Sequence, residues 1–265
     1  MDLATCIRLL RRRRYYSGGR PLPEPTEGRW ISYADHGEDI LLKRCFPKPG
    51  FYIDAGANHP THGSITKHFY DNGWQGINIE PVPEMFELLQ KERPRDINIC
   101  CALGAKAGEA TFYKTAVSGY STLNENFAKR AQAAGQKVHP YRVKIETLDK
   151  ICSERRVQHI DFLKIDVEGA EKEVLLGFSF APARPKVIVI EATKPDSREP
   201  SHEEWEALVF QANYTFAYFD GLNRFYVANQ QKELLAHFKT PPNVWDKAIH
   251  HVAWRNSCEL QKIFS

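Results

Sequence analysis

The sequence predicts a doubly wound α/β fold: a mostly parallel, seven-stranded sheet finished by a terminal antiparallel hairpin. Three observations carry this. From about Ile31, short apolar runs alternate with helix-like segments, the pattern of repeated strand-helix-strand units. Val187, Ile188, Val189 and Ile190 are consecutive and β-branched, as in a strand buried on both faces of a parallel sheet. Finally, "TFAYFD" and "RFYVAN" flank "GLN" as the two arms of a hairpin would.

In chain order, the strands are "FYIDA" (51–55), "GINIE" (76–80), "DINICCAL" (96–103), "HIDFLKID" (159–166), "KVIVIEA" (186–192) and the hairpin arms 215–220 and 224–229. Helices fall between them. "SITKHFYDNG" carries Ile65 and Phe69 and closes on Gly73, suited to a left-handed cap. "PEMFELLQKE" opens with proline at the first helical position and acids in its first turn. "GAEKEVLLG" follows the fourth strand and "HEEWEALVFQAN" the fifth. Residues 104–151 break the rhythm, with small strands at "ATFYK" and "RVKIETL" around a polar loop inserted at about 115–140.

These boundaries give three parts: a basic, Pro/Gly-rich arm (1–30), the α/β domain (31–230) and a C-terminal helical extension (231–265). The extension carries Leu234, Leu235, Phe238, Trp245 and Trp254, which either cover the sheet or pair with another copy in a homo-oligomer. The arm holds Arg8, Arg11, Arg12, Arg13 and Arg14, a solvated segment with the option of peripheral contact to an acidic membrane surface. Its apolar run is too short to span a bilayer, and its charge order is wrong for a signal peptide. The six cysteines contain no CxxC pair, so neither a zinc knuckle nor a disulfide framework is expected; a reducing cytoplasm fits. A net charge of +3 and no aromatic platform beside the arginines argue against nucleic acid.

In an open α/β sheet, ligands bind beyond the C-terminal ends of the strands. There the sequence offers Asp54, Gly56, Asn58 and His59 after strand one, and Glu80 after strand two. Ala102 and Leu103 end strand three, Asp166 and Glu168 follow strand four, and Glu191 ends strand five. Glu80 is placed to accept hydrogen bonds from a ribose diol. The turn "DAGANHPTHG" lacks the GxGxxG phosphate cradle, so a nucleoside without phosphates is the better ligand.

"FYIDAGANHPTHGSITKHFYDNGWQGINIEP", "ALGAKAGEATFY", "ETLDKI" and "IDFLKIDVEGAEKEVLLG", in that order, resemble the FkbM family of S-adenosylmethionine-dependent methyltransferases over roughly residues 31–230. The resemblance implies a Rossmann-like class I methyltransferase fold and O-methylation of sugar or polyketide hydroxyls. It also implies that Asp54, Gly56 and Asn58 meet the methionine part of the cofactor, that Glu80 holds its ribose, and that Ala102 and Leu103 flank its adenine. "YADHGEDILL" and "FDGLNRFYVAN" resemble members tied to polysaccharide and nodulation-factor sugars. The expected acceptor is then a carbohydrate hydroxyl, a deoxysugar of a surface glycan, glycolipid or lipid-linked glycan.

A sugar hydroxyl needs a base or a metal ion to become a nucleophile. Asp166 is expected either as that base or, with Glu191, as a ligand to Mg²⁺; Glu168 is a third candidate ligand. Lys164 shares a strand face with Asp166 and either pairs with it or orients substrate. His59 is the alternative base. Tyr120, Ser121, Thr122 and Asn124 in one loop, and Asn223 and Arg224 in the hairpin, are the expected acceptor contacts. The rival readings are an NAD-dependent nucleotide-sugar enzyme, disfavoured by the missing GxGxxG, and an inactive module of the same fold.

Overall fold

The computed structural model of the protein describes residues 28–264 except Val117 and Pro182; the side chains of Ser118 and of residues 259–264 are also left aside. The arginine-rich arm therefore lies outside the described residues.

The central sheet has seven strands: β2 (Phe51–Ala55), β3 (Gln75–Ile79), β4 (Ile97–Ile99), β8 (Ile160–Ile165), β9 (Pro185–Glu191), β10 (Tyr214–Phe219) and β11 (Asn223–Ala228). Their spatial order is β10-β11-β9-β8-β2-β3-β4. Only β11 runs antiparallel, pairing with β9 and β10. Both faces are covered because successive residues enter different cores. Ile53, Leu163, Ile188 and Ile190 pack on one side, and Tyr52, Phe162, Val187 and Val189 on the other. This is the doubly wound arrangement read from the β-branched run.

The first strand, β2, is flanked by β3 and β8. The chain order reverses there, and the fold opens its crevice at such a reversal. The connection after β2 is held from behind by Arg93, which is fully buried. It donates to Pro60 O (3.0 and 2.6 Å), Ser64 Oγ (2.9 Å) and Tyr52 Oη (3.3 Å), and it faces Asp96 at 3.6 Å. A buried guanidinium with this many acceptors fixes the loop rather than merely surviving burial.

Four expectations need correction. "DINICCAL" is two strands: β4 stays in the central sheet, and β5 (Ala102–Leu103) leaves it to pair with β7 (Val138–Glu146). With β6 (Gly108–Thr115) they make a separate three-stranded sheet. The inserted loop contains a helix, α4 (Glu125–Ala133), whose cap Asn124 accepts from Phe127 N at 3.1 Å and which buries Phe127, Ala128 and Ala131. The helices are shorter than their apolar patterns: α2 is Lys67–Asp71, α6 is Glu171–Leu176 and α7 is Glu206–Gln211, while α3 (Pro83–Glu92) matches its sequence limits. Finally, the C-terminal segment is not helix alone. A 3₁₀ stretch, Asn229–Phe238, packs Phe238, Leu234 and Leu235 onto the second core, and β12 (Ala248–His250) pairs in parallel with β1 (Trp30–Ser32). Helix α8 (His251–Phe264) follows β12. Trp245 covers nothing; it is 88% exposed. Two further helices, α1 (Glu38–Cys45) and α5 (Leu148–Glu154), complete the layers.

Candidate active site

At the end of β2 the chain turns at Gly56 with φ +80°. A β-carbon there would lie 1.8 Å from Asp166 O, so glycine is required by contact as well as by conformation. The close approach joins two strand ends: Gly56 N donates to Ile79 O (3.0 Å), and Asp166 N donates to Ala55 O (3.1 Å). A cavity of about 730 Å³ opens above this junction.

Lys164 is the buried cation of the junction. Its Nζ donates to Gly56 O at 2.5 Å and lies 3.3 Å from Asp54 Oδ1 and 3.5 Å from Asp166 Oδ2. Burial opposes its charge, but Asp54 and Asp166 outweigh that and raise its pKa, so it remains an ammonium. Asp54 stands behind the cavity wall. Its Oδ2 accepts from Thr66 Oγ1 at 2.9 Å, and it holds Lys164 rather than lining the cavity.

Glu80 lines the cavity and is buried. Oε1 accepts from Val82 N (2.8 Å) and Oε2 from Asn58 N (2.7 Å), leaving the second lone pair of each oxygen for a ligand. Burial pushes its pKa up to about 7, against the two amides that lower it. Asn58 also lines the cavity and holds φ +48° to aim that amide. Beyond Glu80 the wall is apolar, formed by Ile79, Val82, Ala102, Leu103 and Phe112. A buried carboxylate with free lone pairs beside an apolar wall has the chemistry to receive a nucleoside.

The opposite end of the cavity is acidic. Asp166, Glu168 and Glu191 each offer an oxygen within 4.8 Å of the others. Glu168 Oε2 and Glu191 Oε2 are buried without a hydrogen-bond partner. Burial, reinforced by Asp166, raises Glu168 to about 9 and Glu191 to about 11. Thr193 Oγ1, also buried and also without a partner, lines the same end. Orphaned carboxylate oxygens of this kind suit a hard divalent cation or a shared proton.

A pH dependence follows. Glu38, Glu80, Glu168, Glu171 and Glu191 all have raised pKa values, to about 8, 7, 9, 7 and 11. The folded state therefore binds more protons than the unfolded, and stability falls as pH rises through these values. His59, His62, His68 and His251 are lowered to about 4, 4, 4 and 3 and work in the opposite sense, but only below pH ~6.5. Melting followed from pH 7 to 8.5 should therefore show a falling midpoint. Millimolar Mg²⁺ or Ca²⁺ should restore more of it at pH 8.5 than at pH 7, and Glu191→Gln should lose that gain. A midpoint that is flat with pH and blind to both ions would contradict the reading of the acidic end.

Other expected residues divide. Tyr120 and Ser121 line the cavity. Thr122 is fully buried and donates to Glu168 O at 2.6 Å, tying the 118–124 loop to the acidic end. Asn223 and Arg224 are not where the hairpin suggested. Asn223 is buried and donates to Glu38 Oε1 (2.9 Å). Arg224 pairs with Glu206 at 2.8 Å and lies over Phe216, away from the cavity. It is Leu222, the residue before Asn223, that lines the cavity. His59 is also outside the lining. Its Nδ1 accepts from Thr61 N (3.0 Å) and His62 N (3.1 Å), which places the ring proton on Nε2 and leaves no free lone pair for a base. His62 lines the cavity instead, 3.0 Å from His251 of α8. Asp35, His36, Asp196, Ser197 and Arg198 complete the rim. The last three follow β9, so the strand-end rule pointed to their loop; Asp35 and His36 lie in "YADHGEDILL", which the sequence marked by resemblance without assigning either residue a role.

The family described as "Methyltransferase FkbM domain" matches residues 54–216, a span that begins at Asp54 and runs past Glu191. "Methyltransferase sdnD" of Sordaria araneosa is 26% identical over 200 residues, covering 64% of this chain and 76% of that protein. "Methyltransferase 1" of Beauveria bassiana is 27% identical over 168 residues, covering 53% of this chain and 65% of that protein. Among solved structures, Methyltransferase FkbM from Methylobacillus flagellatus superposes with a TM-score of 0.43 at 14% identity, covering 68% of this chain and 43% of that one.

Proposed function

Since the chain belongs to the FkbM methyltransferase family, we propose that it transfers a methyl group from S-adenosylmethionine to a hydroxyl oxygen of a carbohydrate. The cofactor is a nucleoside bearing a methyl on positively charged sulfur, which supplies the electrophile. Glu80 would take the ribose hydroxyls, the apolar slot with Ala102 and Leu103 the adenine, and the Gly56–Asn58 backbone the methionine end. The observation that carries this reading is Glu80: a buried carboxylate with unused lone pairs, beside an apolar slot, at the reversal of the strand order.

Methyl transfer needs an acceptor oxygen in line and a group to take its proton. Asp166 is the residue for that proton: it lines the cavity, and its side chain is 35% exposed, open to an entering acceptor. Lys164 fixes its orientation. The alternative role for Asp166 is as a ligand: Mg²⁺ held by Asp166 and Glu191, with Glu168 as third ligand, fits the orphaned oxygens of Glu168 and Glu191 and would supply a positive charge that lowers the pKa of a bound hydroxyl. Tyr120 offers an aromatic face, and Asp35, His36, Ser197 and Arg198 a polar rim, groups that suit a sugar. A deoxysugar of a surface glycan, glycolipid or lipid-linked glycan is the acceptor we favour.

Glu80→Ala should weaken S-adenosylhomocysteine binding by ~1–3 kcal/mol through lost charged hydrogen bonds. Unchanged affinity in calorimetric titration would remove the ribose assignment. The acceptor is tested by transfer of labelled methyl from S-adenosylmethionine to a panel of free, nucleotide-linked and lipid-linked sugars.

A further inference from the structure

The largest exposed apolar side chain of the described residues belongs to none of these elements. Trp245 is 88% exposed and its neighbour Val244 84%. They sit on a short 3₁₀ turn, Val244–Asp246, that is firmly built. Asn243 caps it by accepting from Trp245 N at 3.0 Å, and Asp246 returns a carboxylate oxygen to Asn243 N at 2.7 Å. Arg44 of α1 clamps Asp246 through Nε and Nη2 at 2.7 and 2.6 Å and also donates to the carbonyls of His237, Thr240 and Pro241. A rigid scaffold that keeps a tryptophan in water spends stability without a return inside the molecule.

The surroundings of the turn are basic. Lys43, Lys239 and Lys247 are exposed. Asp246, the acid of the turn itself, is paired with Arg44. Trp30 donates its backbone N to Lys247 O (3.2 Å) and its Nε1 to Asp246 O (2.8 Å).

We infer that the Val244–Trp245 turn is a wedge that seats the protein on an anionic lipid surface, with Lys43, Lys239 and Lys247 as its electrostatic complement. Tryptophan is the side chain that favours the headgroup level, with its ring among the acyl chains and its N–H toward water. Basic residues add about 1 kcal/mol each near such a surface, roughly fivefold in partitioning. A second copy of the chain fits less well. A tryptophan offers about 150–250 Å², far below the ~800 Å² per partner of a stable interface. The wedge also lies beside the cavity rim. Gly37 is hemmed by Pro242, whose Cγ would be 3.1 Å from a β-carbon there, and the residue before it, His36, lines the cavity. Seating the turn on lipid brings that rim to the bilayer.

The test is co-sedimentation of the full chain with phosphatidylcholine vesicles, with and without about one-third phosphatidylserine. Binding is expected only to the anionic vesicles, falling with added salt. Trp245→Ala and the pair Lys239→Glu/Lys247→Glu should each lower it at least fivefold. All of these side chains are exposed, so melting midpoint and S-adenosylhomocysteine affinity should match the parent. That separates this inference from the cofactor reading. No binding to anionic vesicles, equal binding to neutral ones, or binding untouched by Trp245→Ala would overturn it. A dimer in sedimentation velocity that Trp245→Ala dissolves would assign the turn to a second copy instead.

Discussion

Gly56→Ala should cost the protein roughly 4 kcal/mol or more, at the upper end of single substitutions. Two effects add. Alanine at φ +80° pays the left-handed penalty of about 1–2 kcal/mol. The new methyl then meets Asp166 O at 1.8 Å, and that oxygen belongs to backbone, not to a side chain that can swing away. Asp166 cannot retreat cheaply, because its N–H is bonded to Ala55 O. The substitution therefore pries β2 from β8 at the floor of the cavity. Chemical denaturation would show the loss, and calorimetry with S-adenosylhomocysteine would show binding lost even in the fraction that folds. A variant within 1 kcal/mol of the parent that still binds would mean that the junction is looser than its geometry.

Asp166→Asn should behave in the opposite way, sparing the fold and removing turnover. Asparagine keeps the shape but can neither take a proton nor serve as a charged ligand. A positioned base contributes about 10²- to 10⁴-fold, and that is the drop expected in methyl transfer to whichever sugar the screen identifies. Affinity for S-adenosylhomocysteine should stay near the parent value, because Glu80, Asn58 and the apolar slot are untouched. Normal turnover would exclude Asp166 both as base and as essential ligand.

The sheet was legible from the sequence because its signals are local. Consecutive β-branched residues, acids at strand ends and the hairpin turn each report a strand without reference to its neighbours. The third strand misled because Cys100 and Cys101 continue the apolar run of β4, and only tertiary pairing moves Ala102 and Leu103 into a second sheet. Helix α4 was hidden in a polar stretch whose buried side is just Phe127 and two alanines. At the site, Gly56, Glu80, Asp166 and Glu191 were readable because the strand-end rule converts sequence position into location. Asn223 and Arg224 were misplaced because both already have partners within the fold: as neighbours on a strand they take opposite faces, and there they meet Glu38 and Glu206. The rim residues Asp35, His36 and His62 come together through contacts between β1, β12 and the loop after β2, and no periodicity records such contacts.

The most direct test of the central claim is calorimetric titration of the protein with S-adenosylhomocysteine, with NAD⁺ as control, each in EDTA and in Mg²⁺. Micromolar binding of S-adenosylhomocysteine, weakened by Glu80→Ala, is expected, with no binding of NAD⁺. Binding of NAD⁺ instead, or of neither by folded protein, would contradict it.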